Sequence, residues 1–102
     1  MKKIYLASPH MSDEGYEEKF VKEAFDTNWL SSVGENINKF EDAVKKYIGI
    51  DNAVALSSGT SAIHLALKTL DVKENDIVFV SDLTFSASVN PIIYQNATPV
   101  FI

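Results

Sequence analysis

The stretch Ala53-Val54-Ala55-Leu56-Ser57-Ser58-Gly59-Thr60-Ser61-Ala62 decides the fold. A short apolar run gives way to a small, hydroxyl-rich turn, which predicts a strand over 53–56 and a helix from Ser61 to Leu70. A polar connection, Asp71 to Asp76, leads to Ile77-Val78-Phe79-Val80. That run is β-branched and aromatic without polar alternation, as expected of a strand covered on both faces. Thr84 is placed to cap a further long helix through Tyr94, with Pro91 as a kink or break. Gln95 to Thr98 then turns, and Pro99 to Ile102 starts another apolar strand. Strand, helix, strand, helix, strand predicts an α/β fold, a parallel βαβαβ unit with right-handed crossovers.

Upstream of this unit, two helices are expected. Ser12 is a candidate N-cap with Asp13 and Glu14 in the first turn, where acids oppose the helix dipole. Tyr16, Phe20 and Ala24, with Val21 and Phe25 beside them, recur at helical spacing to Thr27. Asn28 to Gly34 reads as a loop holding Trp29 and a Ser-Ser pair. A second helix carries Ile37, Phe40, Val44 and Tyr47 or Ile48 on one face, and Gly49 stops it. The sequence closes on Val100-Phe101-Ile102, inside an apolar strand and at the strand end where ligands gather in parallel sheets. The expectation is an N-terminal piece of a larger protein.

Composition narrows the function classes. With 102 residues, 46% hydrophobic, 11% aromatic and 23% charged, the chain is an ordinary globular domain of modest size. All nine cations are lysines and the net charge is −5, which argues against a nucleic-acid reader built on arginine forks. The absence of cysteine excludes disulfides, zinc-thiolate sites and iron–sulfur clusters. No apolar run approaches the roughly 20 residues of a membrane span. The start Met1-Lys2-Lys3-Ile4-Tyr5-Leu6-Ala7 is basic and then apolar, but Pro9, His10 and Asp13 cut it short, so no signal peptide is expected. A cytoplasmic protein without a membrane partner follows.

The segment Leu56 to Ala62 is the strongest candidate for chemistry. A strand feeding a turn at Gly59 and then a helix points free N–H groups, the positive helix end and Ser/Thr hydroxyls at one spot, where a phosphate would be held. No lysine follows the glycine as in a nucleotide P-loop, and there is no G-x-G-x-x-G. Equally, the turn reads as a Ser/Thr N-cap with no ligand. Phe85, in Ser81-Asp82-Leu83-Thr84-Phe85-Ser86, would sit at the carboxyl edge of the second strand, either stacking on a planar ligand or packing into the core. His64, between Ile63 and Leu65, reads as a packing residue, whereas His10 is either a ligand contact or an exposed loop residue. Asp13, Glu14, Glu17 and Glu18 read as a solvated helix face. There is no metal-ligand spacing and no G-x-S-x-G nucleophile context.

Taken together, several segments resemble the DegT-type sugar aminotransferases. They are Asn28-Trp29-Leu30-Ser31 with Gly34, Phe40-Glu41, Ser57 through Leu67, Asn75-Asp76-Ile77-Val78, Thr84-Phe85, Asn90-Pro91-Ile92 and Pro99-Val100-Phe101-Ile102. They occur in the family's order from Ile4 onward. Lys3-Ile4-Tyr5-Leu6 with Pro9-His10-Met11 resembles the branch that aminates 4-keto-6-deoxy sugar nucleotides for exopolysaccharide or protein glycosylation. The resemblance implies pyridoxal 5'-phosphate as cofactor and the fold type I architecture, of which residues 1–102 would be the N-terminal part of the cofactor-binding large domain. It implies that Gly59, Thr60 and Ser61 hold the cofactor phosphate and that Phe85 stacks on the pyridine ring. Trp29 and Ser31 would lie near the substrate mouth and the dimer interface. The substrates would be a nucleotide-linked keto sugar and an amino donor, usually glutamate, and the full-length protein a homodimer.

Such chemistry needs a lysine for the Schiff base and a carboxylate against the pyridinium nitrogen. In the family both lie beyond the position of Ile102, and none of the nine lysines here matches. No catalytic residue is therefore expected in this chain, which alone should be inactive. Two alternatives remain. A dehydratase of the same family carries histidine in place of that lysine, and a small non-catalytic α/β module would bind phosphate or a partner only.

Overall fold

The computed structural model describes residues 10–102. Lys3-Ile4-Tyr5-Leu6 and Pro9, which carry part of the resemblance, lie outside the described residues. The chain divides into two units, Met1–Ala55 and Leu56–Ile102.

In the first unit, helix α1 spans Tyr16–Asp26 and helix α2 spans Glu35–Ile48. The expected cap of α1 at Ser12 is corrected by three residues, to Gly15. Gly15, at φ 69°, takes the left-handed conformation that glycine tolerates and turns the chain into the helix. Asp13 and Glu14 thereby fall in a turn, and Glu17 and Glu18 occupy the acid-favouring first turn. Ser12 still contributes, because its Oγ accepts the Tyr16 N–H at 2.9 Å. Residues 28–34 form the expected loop. Gly49 ends α2 in the left-handed region at φ 78°. Helix-local ion pairs lie on the surface, Lys39 to Glu35 at 2.9 Å, Lys45 to Asp42 at 2.6 Å, and Lys22 to Asp26.

The second unit contains α3 (Gly59–Thr69), strand β1 (Ile77–Val80), a 3-10 turn (Ser86–Ser88), a short helix α4 (Asn90–Tyr94) and strand β2 (Thr98–Phe101). β1 and β2 pair in parallel, with Ile77 opposite Thr98 and Val80 opposite Phe101. Bonds from Asp82 N–H to Ile102 O and from Ile102 N–H to Val80 O prolong the ladder. The unit's core lies where α4 meets α3 and β2: Pro91 and Ile92 are fully buried and Ala97 is 6% exposed.

Three expectations change from residue 53 onward. The long helix from Thr84 to Tyr94 is instead the 3-10 turn followed by α4. Pro91 occupies the first turn of α4, where its missing N–H leaves no bond unmade, so it starts a helix rather than kinking one. Residues 53–56 lie outside any helix and have no ladder partner among the described residues. Only their period of two survives: Ala53 and Ala55 are half-buried, while Val54 and Leu56 are exposed. Finally, β1 is covered on one face only, with Val78 and Val80 half-buried and Ile77 and Phe79 63% and 67% exposed.

Candidate functional site

The hydroxyl-rich turn is a helix N-terminus, and the helix begins two residues earlier than the spacing predicted. Ser58 is extended (φ −161°, ψ 158°) and caps α3, its Oγ accepting the Ser61 N–H at 3.1 Å and lying 3.0 Å from the Ser61 hydroxyl. Its backbone carbonyl accepts the Ala62 N–H at 3.1 Å, the first turn's closing bond. Gly59 and Thr60 follow in the first turn, where an α-helix has no internal acceptor for their N–H groups. Neither amide donates to a protein acceptor among the described residues. These amides, the helix dipole and the hydroxyls of Ser58, Thr60 and Ser61 together favour an anion.

Gly59 has another role than the bend read from the sequence. It adopts helical backbone, and a Cβ built on it meets nothing within 4 Å. The glycine thus leaves an open approach to the amides rather than relieving strain.

A short connection reverses the chain between α3 and β1. The start of α3 and the end of β1 therefore fall on the same side of the unit, and α3 touches the 3-10 turn that follows β1. Phe85 is the residue before that turn, in extended conformation (φ −72°, ψ 144°) and 78% exposed. An aromatic this bare is not packed into the core of its unit. Thr84 does not cap the turn; its hydroxyl lies 2.8 Å from that of Ser88.

His64 is half-buried and meets Tyr94 edge-on, with ring centroids 5.5 Å apart and planes at 69°, so it packs α3 on α4. His10 is exposed. Lys68 is in the last turn of α3, nine residues from Gly59 and hence about 13 Å along the axis. Lys73 pairs with Asp71 at 3.3 Å. Among the described residues there is no cluster able to hold a metal ion and no helix long and apolar enough to cross a membrane.

Trp29 and Ser31 belong to the first unit. The Trp29 indole rests against Gly34, 3.5 Å from where a Cβ would stand, and the Ser31 Oγ bonds both the N–H and the carbonyl of Val33 at 3.0 Å. With Glu23, Thr27 and Glu35 they line a recess of about 30 Å³, room for one water. The sequence pointed to a Ser/Thr cap in this turn without singling out Ser58, and gave no sign of the bond between Glu41 and Ala55. Ser58 was legible from the Ser-x-x-Ser spacing; the bond links groups far apart in sequence.

Comparison with known proteins adds the family. Residues 12–102 match the model of the DegT/DnrJ/EryC1/StrS aminotransferase family. EpsN of Bacillus subtilis (strain 168), assigned as a pyridoxal phosphate-dependent aminotransferase, is 50% identical over 99% of this chain and 26% of its own length. The GDP-perosamine synthase of Caulobacter vibrioides is 42% identical over 98% of this chain and 26% of its own. Among solved structures, the PMP form of Spr1654 from Streptococcus pneumoniae, assigned as a sugar aminotransferase, superposes with a TM-score of 0.82 at 28% identity, covering 99% of this chain and 25% of that one. The Escherichia coli GDP-4-keto-6-deoxy-D-mannose-3-dehydratase with bound hydrated PLP superposes with a TM-score of 0.80 at 25% identity, over 95% and 26% of the two chains. The chain spans about a quarter of the length of the curated relatives it matches.

Proposed function

The chain belongs to the DegT/DnrJ/EryC1/StrS aminotransferase family, and from that premise we propose that it is the N-terminal part of a pyridoxal phosphate enzyme that moves an amino group from glutamate to the 4-keto carbon of a nucleotide-linked 6-deoxy sugar. The observation that carries this reading is the capped start of α3, with the Gly59 and Thr60 amides donating to no protein acceptor among the described residues and an open approach beside Gly59. Those groups fit the phosphate of the cofactor, and the bare ring of Phe85 fits its pyridine face. When bound, pyridoxal phosphate supplies the electron sink and carries the amino group between the two half-reactions.

On this reading the residues of this chain bind and orient. Thr60 and Ser61 hold the phosphate with amide and hydroxyl donors, Gly59 leaves it room, and Phe85 fixes the ring plane. Trp29 and Ser31 serve the sugar substrate. The reactive lysine and the carboxylate facing the pyridinium belong to sequence beyond Ile102, and Lys68 is at the wrong end of α3 to replace that lysine. The full-length protein acts as a cytoplasmic homodimer in cell-surface polysaccharide or glycoprotein sugar biosynthesis.

The test is equilibrium dialysis of pyridoxal phosphate against the full-length protein. Thr60→Ala with Ser61→Ala should weaken retention by about 1–3 kcal/mol, the loss of charge-assisted hydrogen bonds. Phe85→Ala should shift the bound cofactor's absorption. Unchanged affinity in the double variant sinks the phosphate assignment. The likeness to the Escherichia coli dehydratase supports one second reading, a dehydratase of the same fold. With a 4-keto-6-deoxy sugar nucleotide as substrate, one 2-oxoglutarate formed per sugar aminated supports the aminotransferase. Loss of the C3 oxygen without an aminated sugar supports the dehydratase.

A further inference from the structure

Among the described residues, one side-chain hydrogen bond stands apart from the rest. Glu41 on α2 accepts the Ala55 N–H at its Oε1, at 2.8 Å and across 14 residues of sequence. Every other side-chain bond spans five residues or fewer. Both residues are half-buried. An ionised acceptor there makes a stronger bond than a neutral one, and an amide left without it would be costly.

The place of the bond gives it meaning. After the Ile50 N–H bonds the Lys45 carbonyl, the chain runs outside any helix or strand through Ala55 and Leu56, bends at Ser57 and reaches the cap residue Ser58. Along residues 51–57 no other hydrogen bond is made among the described residues. Among the described residues, Glu41 therefore supplies the one hydrogen-bonded anchor of the segment that delivers the chain into the start of α3. Ala55 is three residues before Ser58, close enough that freedom at one is felt at the other.

We infer that Glu41 is a positioning residue for the anion-binding turn, acting through the Ala55 amide and touching neither cofactor nor substrate. This rests on the reading of Gly59, Thr60 and Ser61 as the phosphate site. A turn preset by its approach binds without the ordering entropy that a loose one loses on binding.

The experiment uses the full-length protein with pyridoxal phosphate as probe, and combines dialysis, thermal unfolding and amide exchange at residues 53–61. In the cofactor-free wild type the Ala55 amide should exchange slowly. Glu41→Ala should speed that exchange and weaken cofactor retention about tenfold, as expected from losing one charge-assisted bond. Glu41→Asp, one methylene too short, should behave likewise and carries the test if the alanine variant does not fold. Glu41→Gln keeps an acceptor at the same reach and should restore most of the affinity. Fast exchange at Ala55 in the wild type overturns the inference with no variant needed. So does a lower melting temperature in Glu41→Ala or Glu41→Asp with cofactor retention unchanged, since that marks a purely structural bond. If the Thr60→Ala, Ser61→Ala control loses cofactor while the Glu41 variants keep it, positioning alone fails. If the wild type retains no cofactor, the phosphate reading fails and the inference with it.

Discussion

The two units of this chain are stabilised by different means. In Leu56–Ile102 a parallel strand pair, α3 and α4 bury Pro91, Ile92 and Ala97 together. In the first unit no described residue is buried, and Phe20, Phe40 and Ile48 of the two amphipathic helices are 48%, 60% and 61% exposed. What holds that unit locally is helical hydrogen bonding, capping and exposed ion pairs. Such pairs contribute little, about 0–1 kcal/mol each in solvent. The comparison teaches where function can be built. The groups proposed to hold an anion sit on the unit that has a core, on the first turn of a helix packed against α4. Among the described residues, the helices of the first unit leave their apolar stripes largely exposed, with only Ile37 and Val44 of the α2 stripe half-buried.

The sharpest way to break this comparison is a pair of truncations. Ile92→Ala removes a side chain that is 2% exposed and should destabilise the second unit by about 2–5 kcal/mol in urea unfolding. Phe40→Ala, at 60% exposure, should change the first unit's stability by about 1 kcal/mol or less if that face is bare in solution. A large loss from Phe40→Ala would mean that its stripe is covered in the working protein, and the contrast between the units would disappear. The next effect in size concerns helix starts. α3 has a side-chain cap and α2, which begins after Gly34, has none. Ser58→Ala should therefore cost about 0.5–2 kcal/mol and speed amide exchange at Ser61. Unchanged exchange there would show that the cap does not hold α3.

What was legible in the sequence follows the range of the interactions. Helices α1 and α2, their loop and the stop at Gly49 depend on period and local backbone preference, so they could be read directly. The start of α3 was legible to within two residues for the same reason. The strand over 53–56 was not, because a ladder needs a partner that composition does not name. The continuous helix from Thr84 failed on Pro91, which a helix admits at its first turn and resists in its middle. Of the candidate site, Gly59, Thr60 and Ser61 come together because they are neighbours on one turn, and Phe85 because the strand before it ends on the same side. Glu41 could be noticed as a residue but not connected to Ala55, since nothing local ties positions 14 apart.

The smallest effect tests how far local bonding alone can define the first unit. At the entry to α1, Ser12 donates twice to Glu17: the Glu17 carboxylate accepts the Ser12 N–H at 2.9 Å and its hydroxyl at 2.6 Å, while the Ser12 Oγ accepts the Tyr16 N–H. The hydrogen bond from the Ser12 side chain, followed by backbone N–H donors, holds the Glu17 carboxyl below its ordinary value. A depressed carboxyl stabilises the folded form above its unfolded pKa, and that contribution is lost as pH falls through the folded one. Ser12→Ala removes the leading cause, so the Glu17 pKa should rise toward the ordinary carboxylate range in an NMR titration. The helix start should then lose less of its exchange protection than the wild type when the solution is acidified. Because Glu17 is fully in solvent, the change should stay confined to the first turn of α1. Spread of the effect to α2 would show that the first unit is more cooperative than its bare surfaces indicate.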